Sequence, residues 1–206
     1  MSFSNTSTGD KPADPYKATN KDSNVSVKDK VEDLVNFANK SKFGMMTTRD
    51  AKSGALVSRC MGVAATENGG IDLLFFTNTE SHKTDEIDSD PHVNIAFYNS
   101  SGDWASISGV SSVLTDRSIV KKHYSSSLKA WLGDLGDGKH DGSENDPRIG
   151  VIRVKTVSAT YALSNANIIG KVAQVAEGIV TGSPANVNKL REISSSEVEQ
   201  YRSASS

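Results

Sequence analysis

The chain has 206 residues, enough for one domain with a substantial core, and we treat it as a single folding unit with tails. Its 23 basic and 25 acidic side chains give a formal net charge of -2, which excludes a general electrostatic attraction to nucleic acid or to an anionic membrane. The single cysteine, Cys60, excludes an internal disulfide and a multi-cysteine metal site, as is typical of a reducing compartment.

The hydropathy pattern argues against membrane insertion and secretion. No apolar run approaches the roughly 18 residues that a membrane-spanning helix needs. Residues 1–24 lack the apolar centre of a secretory signal. We therefore expect a cytoplasmic protein. Residues 1–25 are polar almost throughout and contain Pro12 and Pro15, which predicts a disordered N-terminal tail.

From Ser26 onward the pattern is that of an ordered domain. Apolar residues at helical spacing from Val27 to Ala38 predict a helix that ends near Lys42. The period then falls towards two, which predicts successive strands. We expect strands at 43–48, 55–65, 71–77, 93–98, 104–114, 149–154 and 158–163, and further helices at 83–89, 117–124 and 128–132.

Two segments interrupt this pattern. Residues 133–147 carry four glycines and five acidic residues, which predicts a mobile acidic loop, either an exposed insertion or a lid over a ligand. Residues 184–202 have apolar positions at an imperfect helical spacing and predict a final helix. The chain thus divides into a tail (1–25), a strand-rich domain (26–165) and a C-terminal extension with a helix (166–206).

The order of these elements predicts the fold class. The helices are inserted between strands irregularly, whereas a doubly wound sheet alternates helices and strands. We therefore expect a mainly β protein built on an antiparallel barrel of six or seven strands with peripheral helices. Gly109, in the middle of the strand at 104–114, is expected to mark a bulge.

The stretch Phe75–Lys83 is the strongest candidate for a ligand site. It passes from strand residues to Ser81, His82 and Lys83 at the predicted start of a helix. A hydroxyl, an imidazole and an ammonium beside free backbone N–H groups can hold a phosphate. A solvated turn is the alternative, since Ser, Asn and Lys are ordinary turn residues.

Three further residues suit a planar phosphorylated ligand. Arg59 lies between apolar neighbours in a predicted strand, where it either pairs with an anion or reaches water at a sheet edge. Trp104 and Trp131 offer flat surfaces for a ring, unless they belong to the core. The sequence has no paired histidine spacing, no recognisable nucleophile triad and no phosphate-binding glycine loop, so we expect neither a metal site nor hydrolase chemistry.

Taken in order, these motifs resemble the pyridoxamine 5'-phosphate oxidase-like superfamily of FMN-binding split barrels. The chain is most similar to the general stress protein branch and to its fungal blue-light-inducible relatives. The resemblance covers roughly residues 27–165 and is carried by Ser58–Met61, Leu74–Asn78, Ser81–Lys83, Ile87–Pro91, Val93–Phe97, Trp104–Gly109, Lys129–Trp131 and Ile149–Val154.

The resemblance implies a homodimer with two FMN molecules at the subunit interface. It assigns the FMN phosphate to Arg59, Ser81 and Lys83. His82 stands where an arginine is common in the family, which would replace a permanent charge by a pH-dependent contact.

The resemblance also assigns residues to the isoalloxazine ring. Those expected to line it from the same subunit are Arg59, Cys60 and Met61, through their backbone, with Phe76 and Thr77. Trp104 and Trp131 are expected to reach the ring from the partner subunit.

Departures from the family pattern bear on activity. True pyridoxamine phosphate oxidases carry a lysine where this chain has Ala64. Residues 123–129 lack the Tyr/Arg/Ser set that grips the vitamin phosphate, and 166–206 replaces their Trp- and Arg-bearing C-terminal segment. We therefore do not expect vitamin oxidation. The expected function is that of an FMN-dependent oxidoreductase for an unidentified small-molecule substrate or electron donor, with unknown catalytic residues. The alternatives are a non-catalytic flavin carrier or stress- or light-response sensor, and an interaction module without a cofactor.

Overall fold

The computed structural model describes residues 7–8, 11–12, 14–164 and 168–205. Its strands are Ser7–Thr8 (β1), Lys11–Pro12 (β2), Phe43–Arg49 (β3), Leu56–Glu67 (β4), Asp72–Asn78 (β5), His92–Tyr98 (β6), Trp104–Leu114 (β7), Ile149–Ser164 (β8) and Asn188–Ile193 (β9). Its α-helices are Pro15–Asn20 (α1), Val27–Ser41 (α2), His82–Ser89 (α3), Arg117–His123 (α4), Lys129–Leu132 (α5), Ile168–Thr181 (α6) and Ser195–Ala204 (α7).

Six strands close an antiparallel barrel in the order β5-β4-β3-β6-β7-β8, because β5 also pairs with β8. β9 pairs with the second half of β8, on the edge of β8 that also pairs with β5 and faces away from β7. The predicted mainly β antiparallel barrel with peripheral helices is confirmed. The two strands predicted at 149–154 and 158–163 are one 16-residue strand, whose first part pairs with β5 and whose last part pairs with β9.

The core fills the barrel through the alternation of inward and outward side chains. Met46, Phe75, Ile95 and Ile107 are among its fully buried members. The face of α2 that carries Leu34 covers one end of this core. The predicted bulge is present, since the pairing of β7 with β8 shifts between Ser108 and Gly109.

Residues 14–25, which were predicted to belong to a disordered tail, include helix α1 and pack against the rest of the chain. Asp14 caps α1, and Asn20 is 3% exposed. The side-chain oxygen of Asn20 accepts bonds from the backbone N–H groups of Val187 (3.0 Å) and Asn188 (2.9 Å). Polar side chains thus bind this segment to the C-terminal part of the chain, which hydropathy does not reveal. The positions 1–6, 9–10 and 13 lie outside the described residues.

The C-terminal segment differs from the single helix predicted at 184–202. Residues 188–193 form strand β9, and α7 begins only after Ser194, whose side chain and that of Glu197 make a capping box. The prediction failed because apolar residues of a strand and of a following helix, read together, imitate an irregular helix. Helix α6 was not predicted.

Candidate functional site

A cationic pocket lies where β5 ends and α3 begins. Lys83, in the first turn of α3, is 8% exposed, and its Nζ donates to the hydroxyl oxygens of Thr77 (2.8 Å) and Ser81 (3.5 Å). We call these three residues the Lys83 pocket. None of the ion pairs formed by the described residues involves the Lys83 ammonium. Burial and the nearby charge of Arg59 lower the pKa of Lys83, against the opposing charge of Glu86.

The start of α3 leaves its backbone donors available to a ligand. Ser81 is the N-cap residue, but its side chain makes no capping bond and donates instead to the carbonyl oxygen of Asn78 (2.7 Å). The backbone N–H of Thr84 donates to the carbonyl oxygen of Ser81 (2.9 Å), whereas the N–H groups of the first two helical residues, His82 and Lys83, have no partner within the helix. They therefore lie beside the Lys83 ammonium as additional donors for an anion.

Arg59 is held in place by Glu86 of α3. Its Nη1 and Nη2 donate to Oε2 (2.7 Å) and Oε1 (2.8 Å) of that carboxylate. Nη1 also donates to the Thr48 hydroxyl (3.0 Å), which in turn donates to Glu86. The hydrogen bonds from Arg59 lower the pKa of Glu86. The guanidinium is therefore oriented beside the Lys83 pocket by a fixed two-point ion pair.

Sequence reasoning missed Glu86 and Thr48. One signal was present for Glu86: it follows Lys83 by three residues, and positions three apart share one face of a helix. An arginine among apolar neighbours also requires a counter-ion, and a carboxylate on that face is a natural candidate.

The other residues predicted on these strands are divided between two faces. Met61 lies on the same side of β4 as Arg59 and packs against the barrel core. Cys60 points to the opposite side and is exposed. Phe76 alternates with Thr77 and packs against a second cluster outside the barrel, together with Leu132. His82 is exposed and lies 3.6 Å from the carboxylate of Asp85, so the ring faces solvent rather than the Lys83 pocket.

Trp104 does not reach the Lys83 pocket within one chain. Trp104 begins β7, where it pairs with Tyr98. Trp104 is three strands away from Arg59 in the sheet. It is also three residues along β7 from Ile107, the residue of β7 in register with that arginine. At ordinary strand spacing the separation is roughly 15 Å or more. Trp131, on α5, is 85% exposed.

The described residues give no support for a membrane span or a metal site. No described helix has both the length and the apolar character that crossing a bilayer requires. Nowhere in the described part of the chain do three or more His, Cys, Asp or Glu side chains come together as a group able to hold a metal ion.

The closed six-stranded antiparallel barrel places the chain in the class of split-barrel proteins. The family model described as "Pyridoxamine 5'-phosphate oxidase like" matches residues 29–186, and the chain belongs to this family. Protein bli-3 of Neurospora crassa is similar along its whole length, with 63% identity over 203 residues that cover 98% of this chain and 97% of that protein.

Solved structures share the fold at low sequence identity. A protein of Jannaschia sp. CCS1 matches with a TM-score of 0.60 and 15% identity over 81% of this chain and 99% of its own. General stress protein 26 of Bacillus anthracis matches with a TM-score of 0.53 and 21% identity over 63% and 91%. A Nostoc punctiforme protein described as pyridoxamine 5'-phosphate oxidase-related and FMN binding matches with a TM-score of 0.52 and 12% identity over 68% and 85%.

Proposed function

We propose that this protein binds FMN and acts as a flavin-dependent oxidoreductase on a small molecule. The observation that carries the proposal is the Lys83 ammonium, which is buried beside a second cation and bonded to two hydroxyl groups. A phosphate monoester brings a charge of about -1.5 to -2 and three acceptor oxygens. The Lys83 ammonium has only neutral hydroxyl partners, and a phosphate would supply the negative charge that balances it. The Lys83 pocket therefore fits the phosphate end of FMN.

The residues of the chain have distinct parts in this proposal. Lys83, Ser81 and the first N–H groups of α3 would bind the phosphate, with Arg59 alongside in the orientation that Glu86 sets. Bound FMN supplies hydride and electron transfer, while the protein controls its orientation and its access to water. The family match and the FMN-binding Nostoc punctiforme relative support this choice of ligand.

We further propose that the working unit is a homodimer. Phe43, Tyr98 and Trp104 are exposed on the outer face of β3, β6 and β7, with 60%, 74% and 37% of their surface open. Trp104 lies three strands across the sheet from Arg59, too far from the Lys83 pocket of its own chain to cover a ring bound there. A second copy that packs on this face would bring its tryptophans to the ring.

The visible absorption spectrum of the purified protein, with the released cofactor identified by mass, tests the cofactor directly. We expect flavin bands between about 350 and 500 nm and release of FMN. A protein that stays colourless after incubation with FMN contradicts the proposal. Steady turnover of a reduced nicotinamide with an acceptor supports the oxidoreductase, whereas tightly bound flavin that no donor reduces favours the carrier or sensor.

The Lys83→Met variant tests the position of the phosphate. A charge-assisted hydrogen bond contributes about 1.5–3 kcal/mol, so we expect FMN affinity to fall roughly 10- to 100-fold while riboflavin affinity changes little. Isothermal titration with both ligands measures the difference. Lys28→Met, at an exposed lysine of α2, is the matched control. Equal losses for FMN and riboflavin would remove Lys83 from the phosphate site.

A further inference from the structure

A buried ion pair lies at the end of the acidic loop 133–147. Asp146 is fully buried and Arg148 is 5% exposed. Nε and Nη2 of Arg148 donate to the two carboxylate oxygens of Asp146 at 3.1 and 2.7 Å. The same carboxylate accepts the backbone N–H groups of Gly142 (2.7 Å) and Arg148 (2.9 Å). These bonds, with that of Arg148 first, lower the pKa of Asp146 to about 2. The loop that was predicted to be mobile therefore has a fixed internal frame.

The guanidinium of Arg148 also binds the helix that carries Trp131. Nη1 donates to the carbonyl oxygen of Leu132 (3.1 Å), and Nη2 donates to that of Gly133 (2.9 Å). These are the first two carbonyl groups after Trp131, at the end of α5, where helical carbonyls lack a partner. A helix of four residues is too short to be stable by itself. Its orientation therefore depends on outside contacts such as these.

The backbone of the same arginine binds the loop that leads to the Lys83 pocket. The carbonyl oxygen of Arg148 accepts the backbone N–H of Thr79 (2.8 Å) and its hydroxyl (3.1 Å). Thr79 lies between Thr77 and Ser81. These bonds continue the β5–β8 ladder one residue beyond the pair Asn78–Ile149. Arg148 is thus bonded on one side to the helix of Trp131 and on the other side to the loop before α3.

We propose that Arg148, held by Asp146, is a positioning residue that fixes the backbone next to Trp131, and so the place from which its indole projects, relative to the Lys83 pocket. The proposal rests on the proposed function, in which Trp131 covers the flavin ring. It explains why an 85% exposed tryptophan sits on a short helix that is bonded to a buried ion pair. A backbone fixed before binding leaves only the side-chain torsions of the aromatic residue to be ordered when a ring stacks on it. In the proposed homodimer, the Asp146–Arg148 ion pair would link two flavin sites. On one side lies the Lys83 pocket, which binds the phosphate in its own subunit, and on the other lies Trp131, which covers the ring bound to the partner subunit.

A double-mutant cycle separates positioning from general stability. Aromatic stacking contributes about 0.5–1.5 kcal/mol, so Arg148→Met should weaken FMN roughly 3- to 10-fold and increase the emission of the bound flavin, which a stacked indole quenches. In the Trp131→Ala background, Arg148→Met should have no further effect on either quantity. Equal losses in both backgrounds would assign Arg148 a structural role alone and overturn the proposal.

The flavin-free protein provides an independent readout. With Trp104 replaced by phenylalanine, the anisotropy decay of tryptophan emission reports on Trp131 alone. We expect faster local motion of Trp131 in Arg148→Met, and no change in Arg153→Met, which removes the ion pair with Glu67 (2.8 and 3.0 Å) elsewhere on β8.

The outcomes distinguish the two proposals. A protein that binds no flavin overturns the proposed function and the role of Trp131 as a ring cover. Unchanged anisotropy in Arg148→Met overturns the positioning role itself. If Arg148→Met does not fold, Arg148→Lys serves instead, because a lysine keeps the charge for Asp146 but lacks the planar fork that binds both carbonyls. That variant should show the same faster motion of Trp131.

Discussion

Glu86 sets the charge balance around the Lys83 pocket. The group contains two cations, Arg59 and Lys83, and one carboxylate, so its net charge with all three ionised is positive. Glu86 is 4% exposed and satisfies both of its oxygens with Arg59 and Thr48. A phosphate that enters the pocket therefore meets an arginine already oriented by its counter-ion, and little reorganisation is needed on binding.

The Glu86→Gln variant should lower the free energy of unfolding by about 2 kcal/mol at neutral pH, because Arg59 loses a charged partner. The pKa of Glu86 is held below its ordinary value of 4.5. Its contribution is therefore fully present above that value and is lost as the pH falls through the lowered folded-state pKa. Urea unfolding of both proteins should show a difference that shrinks at pH below 4.5. A difference that does not vary with pH would rule out an electrostatic origin.

At this scale the sequence reveals some members of the site and hides others. Arg59 and Lys83 could be singled out only through the order of motifs that resembles the FMN-binding split barrels, since each alone also fits a sheet edge or an ordinary turn. The ion pair between Arg59 and Glu86 joins residues 27 positions apart, so no local sequence pattern predicts it. Arg148 was invisible for the same reason, since its partners come from a loop, a short helix and a strand end.

At the scale of elements, the N-terminal segment and β9 form one unit. Besides its bonds to 187 and 188, the Asn20 amide donates to the carbonyl oxygen of Ala185 (2.9 Å). Arg191 of β9, 6% exposed, donates to the carboxylate of Asp22 (2.8 and 3.0 Å) and also to Asp33 of α2. The backbone at 21 and 22 also pairs with Leu190, so the start of the chain closes the edge of the sheet at β9.

The Asn20→Ala variant should destabilise the protein by at least about 2 kcal/mol, because the backbone groups at 185, 187 and 188 lose their hydrogen-bond partner. Thermal and urea unfolding measure the loss. Asn36→Ala, at an exposed asparagine of α2, should change stability by less than about 0.5 kcal/mol. A neutral Asn20→Ala would show that the N-terminal segment does not stabilise β9.

The contrast between β3–β7 and β9 shows what periodicity can predict. β3, β6 and β7 alternate buried and more exposed residues, and short turns join β3 to β4 and β6 to β7, so period and turn residues give most of their bounds. β9 has only six residues, and its anchors lie more than 160 positions away, at 20 and 22. Its strand pairing follows from tertiary contacts that no window of sequence contains.

At the scale of the whole molecule, one face of the barrel has the character of an interface. The outer face of β3, β4, β6 and β7 exposes large apolar side chains, namely Phe43, Leu56, Tyr98, Trp104 and Val110. Soluble monomers rarely expose contiguous apolar patches of more than a few hundred Å². A stable dimer buries about 800 Å² on each partner. Phe43, Tyr98 and Trp104 lie side by side on neighbouring strands of this face, which supports the proposed homodimer.

The Tyr98→Asp variant tests this face and its connection to the flavin. Tyr98 is 74% exposed, so an aspartate there leaves the folded monomer intact but places an unpaired charge inside the proposed interface. Light scattering should therefore show a dimer for the parent protein and a monomer for the variant. Because Trp104 and Trp131 would then be lost from the partner's ring site, FMN affinity should fall in parallel, whereas Lys83→Met should bind FMN weakly and remain dimeric. Val180→Asp, at an 86% exposed position of α6, is the matched control and should stay dimeric. If this control variant were monomeric, the interface would lie on α6 instead.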